Sequence, residues 1–133
     1  MKTSFQLIPI FCLLFAISCS KDNPSRDQTL TGGKWKLTET LADPGGGNAK
    51  WQPTGEKSRI DNISSKDNGE LEWDLYSDFK TYAIKDSVTL SFTRADKSVQ
   101  TYFYEIKGDK LTMSPREPFR CIEACGSKYV KTR

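Results

Sequence analysis

Four cysteines and no histidine set the chemical repertoire of this 133-residue chain. Without an imidazole it lacks the usual general base, the usual activator of a nucleophile and the commonest metal ligand. No residue set reads as catalytic, and none calls for a cofactor. The thiols are the reactive groups that remain. Cys121 and Cys125 lie in "FRCIEACGSKY" near the C-terminus, and Cys19 follows the single long apolar run, which starts after Lys2 and extends from Phe5 to Ile17. A basic start and about a dozen apolar residues are the anatomy of a secretory signal, too short for a spanning helix, which needs about 20. Export would carry the later pair into an oxidising compartment, where a disulfide between Cys121 and Cys125 is favoured. A structural zinc site would have to borrow carboxylates to reach four ligands, and a redox-active pair needs a different spacing and scaffold. Closing so short a loop stabilises by about 2 kcal/mol at most on the chain-entropy account, and it would pin that loop into the last strand.

The elements that must position any site are strands. From Gly33 onward the apolar residues recur with period two. "KWKLTETL" puts Trp35, Leu37, Glu39 and Leu41 on one face and Lys34, Lys36, Thr38 and Thr40 on the other, a strand half buried and half wet. "LEWDL" sets Leu71, Trp73 and Leu75 against Glu72 and Asp74, and "VTLSF" sets Val88, Leu90 and Phe92 against Thr89 and Ser91. "VQTYFYEIK", residues 99–107, is rich in aromatic and β-branched residues, and "KGDK" at 107–110 reads as a hairpin turn into Leu111 and Met113. Weaker strands are expected at 58–63, 79–84 and 128–132. Seven or eight short strands without an amphipathic helix predict an antiparallel sandwich or a closed barrel.

Within that pattern Glu39 is out of place. A carboxylate among Leu37 and Leu41 costs free energy without a partner; either the barrel end is wet there or a bulge turns it outward, or it is a polar anchor in an otherwise apolar ligand pocket. The glycine-rich "DPGGGN" has neither the Gly-Lys-Ser/Thr of a phosphate loop nor the spaced carboxylates of a calcium loop. It reads as a long connection at one barrel mouth, closed by "WQP", with Trp51 folding over the opening.

Removing 18 signal residues leaves about 115, enough for one domain with one modest core. Lys and Arg number 20 against 17 Asp and Glu, interspersed along the chain, so no run forms a nucleic-acid patch. "SKDNPSRDQT", residues 20–29, is polar and interrupted by Pro24. It cannot bury enough apolar surface to order itself and is expected to be a tether, reaching at most about 35 Å. The organisation is then a signal peptide over 1–18, a tether over 19–29 and a barrel domain over 30–133.

Two resemblances sharpen this outline. Ala16, Ile17 and Ser18 before Cys19 resemble the lipobox of bacterial lipoproteins, which implies that Cys19 becomes the new N-terminus and carries a diacylglyceryl thioether and an N-acyl chain; two or more chains make membrane attachment stable. The "SKDN" after it resembles, through Lys21 and Asp22, the runs that send some Gram-negative lipoproteins to the outer face of the outer membrane. Gly33, Lys34 and Trp35 in "LTGGKWKLTE" resemble the first signature of the lipocalins. With the "DPGGGNAKWQP" loop, the "YEIKGDKLTM" hairpin and the terminal "CIEACGSKY", the chain is similar to small bacterial lipocalin-like lipoproteins of the calycin type. The resemblance implies an up-and-down barrel of about eight strands, with a cation of the last strand, Lys131 or Arg133, over Trp35. The chain is shorter than a typical lipocalin, has no helix after the barrel and carries "KGDK" where Thr-Asp-Tyr is expected.

The functions that follow are those of a non-enzymatic lipoprotein of the Gram-negative cell envelope, anchored in the outer membrane. In one, the barrel holds a small apolar or amphiphilic ligand contacted by Trp35, Glu39, Trp73, Phe92, Tyr102 and Tyr104. In the other, the interior is packed solid and the outer surface or loops bind an envelope protein. An eight-stranded barrel is wide enough either to be filled by side chains or to hold one small ligand.

Overall fold

The period-two segments become strands. The computed structural model describes residues 30–43, 45–55 and 61–133; the expected signal segment, the tether and Cys19 lie outside these. Among the described residues the strands are β1 (Lys34–Ala42), β2 (Lys50–Pro53), β3 (Asn62–Ser65), β4 (Leu71–Trp73), β5 (Phe79–Ile84), β6 (Thr89–Arg94), β7 (Val99–Lys107), β8 (Lys110–Pro115) and β9 (Cys125–Thr132). All pairings are antiparallel, in the order β4-β3-β1-β9-β8-β7-β6-β5, with β2 also beside β1. The outer strands β4 and β5 meet through a bridge from Glu70 to Thr81 and a Tyr82 N–H donated to the Gly69 carbonyl at 2.9 Å. The result is an all-β, nearly closed, up-and-down barrel of eight strands, compatible with a calycin-like fold.

β2 and β3 act as two halves of one barrel strand. β2 pairs with Glu39 to Ala42 and β3 with Lys34 to Lys36. Between them the Thr54 N–H donates to the Thr38 carbonyl (2.8 Å) and the Leu37 N–H to the Asp61 carbonyl (2.9 Å), so Thr54 and Asp61 take successive places on the β1 ladder. The expected weak strand at 58–63 overlaps β3, which covers Asn62–Ser65; residues 58–60 of that expectation lie outside the described residues. Lys50–Pro53, expected as part of a mouth loop, is a strand instead. Trp51 does not cover the opening. Its ring lies on the outer wall under the Lys128 ammonium, 4.0 Å from the centroid, and against Gly126, where a Cβ would sit 3.1 Å from the indole.

One end of the barrel is closed by the chain that enters it. Leu30 is buried, and the Ser65 hydroxyl donates to the carbonyls of Leu30 and Gly33. Gly33 is required by close approach: a Cβ there would collide with the indole nitrogen of the fully buried Trp35. Of the two cations that the resemblance offers, Lys131 is the one over Trp35, its ammonium 5.7 Å from the ring centroid, within cation–π range. Above this floor the interior is filled. Ile63, Leu71, Trp73, Phe79, Leu90, Phe92, Leu111, Met113 and Tyr129 are all buried. β6 departs from simple alternation, since Thr89 and Ser91 are buried as well as Leu90 and Phe92, while Val88 is exposed before the strand begins. Arg116, from the β8–β9 connection, supplies part of the cover: its guanidinium lies 4.5 Å from the Phe103 ring centroid and reaches Thr89 Oγ1 at 3.4 Å.

Candidate functional site

The opposite end, where β4, β6 and β8 finish and β5, β7 and β9 begin, is the mouth. Its walls are aromatic because the inward positions of β4 and β7 and the β4–β5 turn are Trp73, Tyr102 and Tyr76. Trp73 meets Tyr76 edge-on at 4.9 Å between centroids, Tyr102 at 5.8 Å and Phe92 at 5.2 Å. Phe92 and Tyr102 are T-shaped at 5.2 Å, and Phe79 stacks on Trp73 at 5.7 Å. Edge-to-face contacts at these spacings let aromatic quadrupoles attract. They also lock the rings.

Above this cluster lies a cleft of about 300 Å³, with Trp73, Leu75, Tyr76, Tyr102, Met113 and Tyr129 among its walls and the Cys121–Cys125 pair at its lip. A second cleft of about 310 Å³ shares Tyr76, Tyr102, Pro115 and Cys121 with the first and adds Arg94, Gln100, Phe119 and Arg120. The guanidinium of Arg94 is already engaged, bound to the Asp78 carboxylate at 2.7 Å and lying 4.4 Å from the Phe79 centroid. Arg120 is exposed and only loosely paired with Glu117, at 3.7 Å. Burial pushes the Tyr102 hydroxyl well above the ordinary phenol range, with nearby Tyr76 adding to it. Tyr129 is pushed up further by burial and by the Asp61 carboxylate it faces. Both are neutral donors at physiological pH.

The six ligand contacts expected from the sequence are dispersed. Trp73 and Tyr102 line the cleft. Phe92 supports both rings from within the core, Trp35 sits at the closed end, and Tyr104 is directed toward the β5–β6 turn, its hydroxyl donating to the Asp86 carbonyl at 3.3 Å. Glu39 is not an interior anchor. Leu37 faces Tyr129 across the ladder, but Glu39 faces Lys128, so β1 advances two residues where β9 advances one. Thr38 is the extra residue of a bulge, its hydroxyl donating to the Lys128 carbonyl at 3.1 Å. A bulge reverses which face the following residues occupy. Glu39 therefore emerges on the outer wall, ion-paired with Lys128 at 3.0 Å beside Trp51.

The polar residue that the interior does hold is Asp61, only 2% exposed. Its carboxylate accepts the Trp73 indole N–H at 3.1 Å, the Tyr129 hydroxyl at 3.0 Å and the Leu75 N–H at 2.9 Å. Asp61 thus fixes two cleft walls and the backbone of a third. Nothing in the local sequence "SRIDNIS" marks it, because its three partners come from two other strands and a turn. The mouth lip is held in the same way. The buried Gln100 side chain donates to the Phe119 carbonyl at 2.9 Å and accepts the Phe119 N–H at 3.2 Å. Cys121 and Cys125 stand as a disulfide, with Cα atoms 6.1 Å apart. Among the described residues no group of three or more carboxylates and thiols gathers as a metal site.

No family model, curated protein or solved structure matches this chain. The barrel itself is compatible with a calycin-like fold, with β1 closed on β9 and the buried Trp35 beneath Lys131.

Proposed function

We propose that this chain is a lipid-anchored protein of the Gram-negative cell envelope that takes a small apolar or amphiphilic ligand into the mouth of its barrel. The observation that carries the reading is the aromatic cleft of about 300 Å³ held open between Trp73, Tyr76, Tyr102 and Tyr129. That volume is at the small end of ligand pockets, and the interior below is filled, so a single ring system or a short chain fits and a haem-sized molecule does not. Arg120, with its loose partner, stands at the lip for a polar or anionic end. The anchor is Cys19 behind its lipobox-like residues, which would hold the domain on the outer membrane.

Titration of the delipidated protein with short-chain carboxylic acids, aromatic compounds and haem-like compounds tests the ligand. Trp73 reports directly, since it forms a wall. A saturable change in tryptophan emission with the first two classes, lost in Tyr102→Ala, is expected; no saturable change with any class sinks the proposal. A second reading has its own support. Phe119 and Ile122 are 70% and 102% exposed on the lip, and the barrel interior is packed, as suits a protein-binding accessory subunit.

A further inference from the structure

The two ends of the barrel differ in charge as well as shape. Across the outer wall at the closed end, Lys36 of β1 faces Val130 of β9, Val130 faces Lys110 of β8, and Lys110 faces Lys107 of β7. Residues directly opposite on paired strands share a face, so three lysines lie in one row. Lys34 is on the same wall, two residues before Lys36, opposite Thr132. Beside the row is an open concavity of about 560 Å³ walled by Gly108, Asp109, Lys131, Thr132 and Arg133. Six cations therefore crowd one quadrant, against Glu105, which pairs with Lys107 at 3.0 Å, and Asp109. Lys34, Lys36 and Lys110 are exposed and form no ion pair among the described residues. The other side of the same end is acidic, with Asp67, Glu70, Glu72 and Asp86 against Lys66 and Lys85.

We infer that this basic quadrant rests on an anionic phospholipid surface, so that the mouth points away from the membrane. The occupant follows from where the chain enters. Leu30, the first described residue, is buried in the closed end, its carbonyl accepting the Gly33 N–H, four residues before Lys34. Only eleven positions separate it from Cys19, a reach of at most about 40 Å. The orientation rests on the anchor in the proposed function; the charge sorting does not. That reach confines the domain to the neighbourhood of the bilayer, and the attraction of a basic cluster, which acts within about 10 Å at moderate salt, then selects the face that makes contact. Lipid chains and a polybasic patch reinforce one another as membrane signals.

The full chain is mixed with vesicles of phosphatidylcholine alone or with about one-third phosphatidylglycerol, then pulsed with an amine-reactive reagent, and each lysine is read by mass spectrometry. Protection of Lys34, Lys36 and Lys110 on anionic vesicles only is expected, reversed by high salt. Lys97, in the β6–β7 turn at the mouth, should label equally on both. The ratio of anionic to zwitterionic partition coefficients, in which the anchor cancels, should fall about fivefold for each lysine removed in Lys36→Gln and Lys110→Gln. A chain that binds both vesicles with even labelling keeps its anchor and overturns the basic face. One that binds only anionic vesicles, with the three lysines protected, supports the face and sinks the anchor. Equal protection by soluble polyglutamate or RNA without lipid also overturns it.

Discussion

Glu39 and Asp61 have exchanged the roles that their settings in the sequence suggest. Glu39 sits among leucines yet forms a half-exposed ion pair on the outer wall, and such pairs contribute about 0 to 1 kcal/mol. Glu39→Leu should change stability by less than about 1 kcal/mol and leave the emission response of the cleft intact, as denaturant and ligand titrations would show. Asp61→Ala leaves the Trp73 indole and the Tyr129 hydroxyl without their acceptor inside a packed core. Each orphaned donor costs about 1 to 3 kcal/mol, so a loss of about 3 kcal/mol and a change in near-ultraviolet circular dichroism are expected, and a neutral result would refute the network. Tyr102 and Tyr129 add a pH dependence of definite sign. Burial raises both above their ordinary value of 10.0, so the folded state holds protons that the unfolded state releases. Their contribution is complete below pH about 10 and is lost as pH climbs beyond it, by about 1.4 kcal/mol per pH unit for each tyrosine. Thermal unfolding between pH 8 and about 11 should therefore fall less steeply above pH 10 in Tyr129→Phe than in the parent.

Among the elements, β1 and the segment joining β8 to β9 decide the character of the mouth. β1 carries the bulge that reverses its faces halfway along, and Trp51 packs closely on the wall at Gly126, where a Cβ would come within 3.1 Å of its ring. The β8–β9 segment holds the exposed Phe119 and Ile122 in place through Gln100 and the cysteine pair. This is local clamping rather than core. Reduction should lower stability by about 2 kcal/mol or less and leave the barrel folded, measured by denaturant titration with and without reductant. A non-reduced digest should show the Cys121 and Cys125 peptides linked, two hydrogens lighter than the reduced form. Two free thiols in protein recovered from the oxidising compartment would contradict the clamp.

At the scale of the whole molecule, Leu30 lies in the closed end and the cleft opens at the other, so with the basic quadrant on a bilayer, as inferred above, the cleft would face away from the membrane. The anchor itself is tested by feeding cells a palmitate analogue. The mature protein should begin at Cys19, take label and partition with membranes, whereas Cys19→Ala should do neither. Retained label in that variant would remove the lipoprotein reading and leave the barrel and its cleft unchanged.

The strands were legible in the sequence because period-two alternation is a local property: Trp35 with Leu37, Leu71 with Trp73 and Tyr102 with Tyr104 announce their faces within a few residues; alternation left sandwich and barrel open, and the barrel was expected only from the resemblance at Gly33, Lys34 and Trp35. The cysteine pair was legible for the same reason, being close along the chain. The bulge at Thr38 was not, since one extra residue is visible only against its partner strand, and it sent Glu39 outward and Trp51 to the outer wall. Asp61 was hidden because its value lies in Trp73, Tyr129 and Leu75, which come together only when β4 and β9 close around it. The row of lysines was invisible for a like reason. Lys107 and Lys110 flank one hairpin turn, but Lys36 joins them only through the antiparallel register of β1 on β9 and β9 on β8.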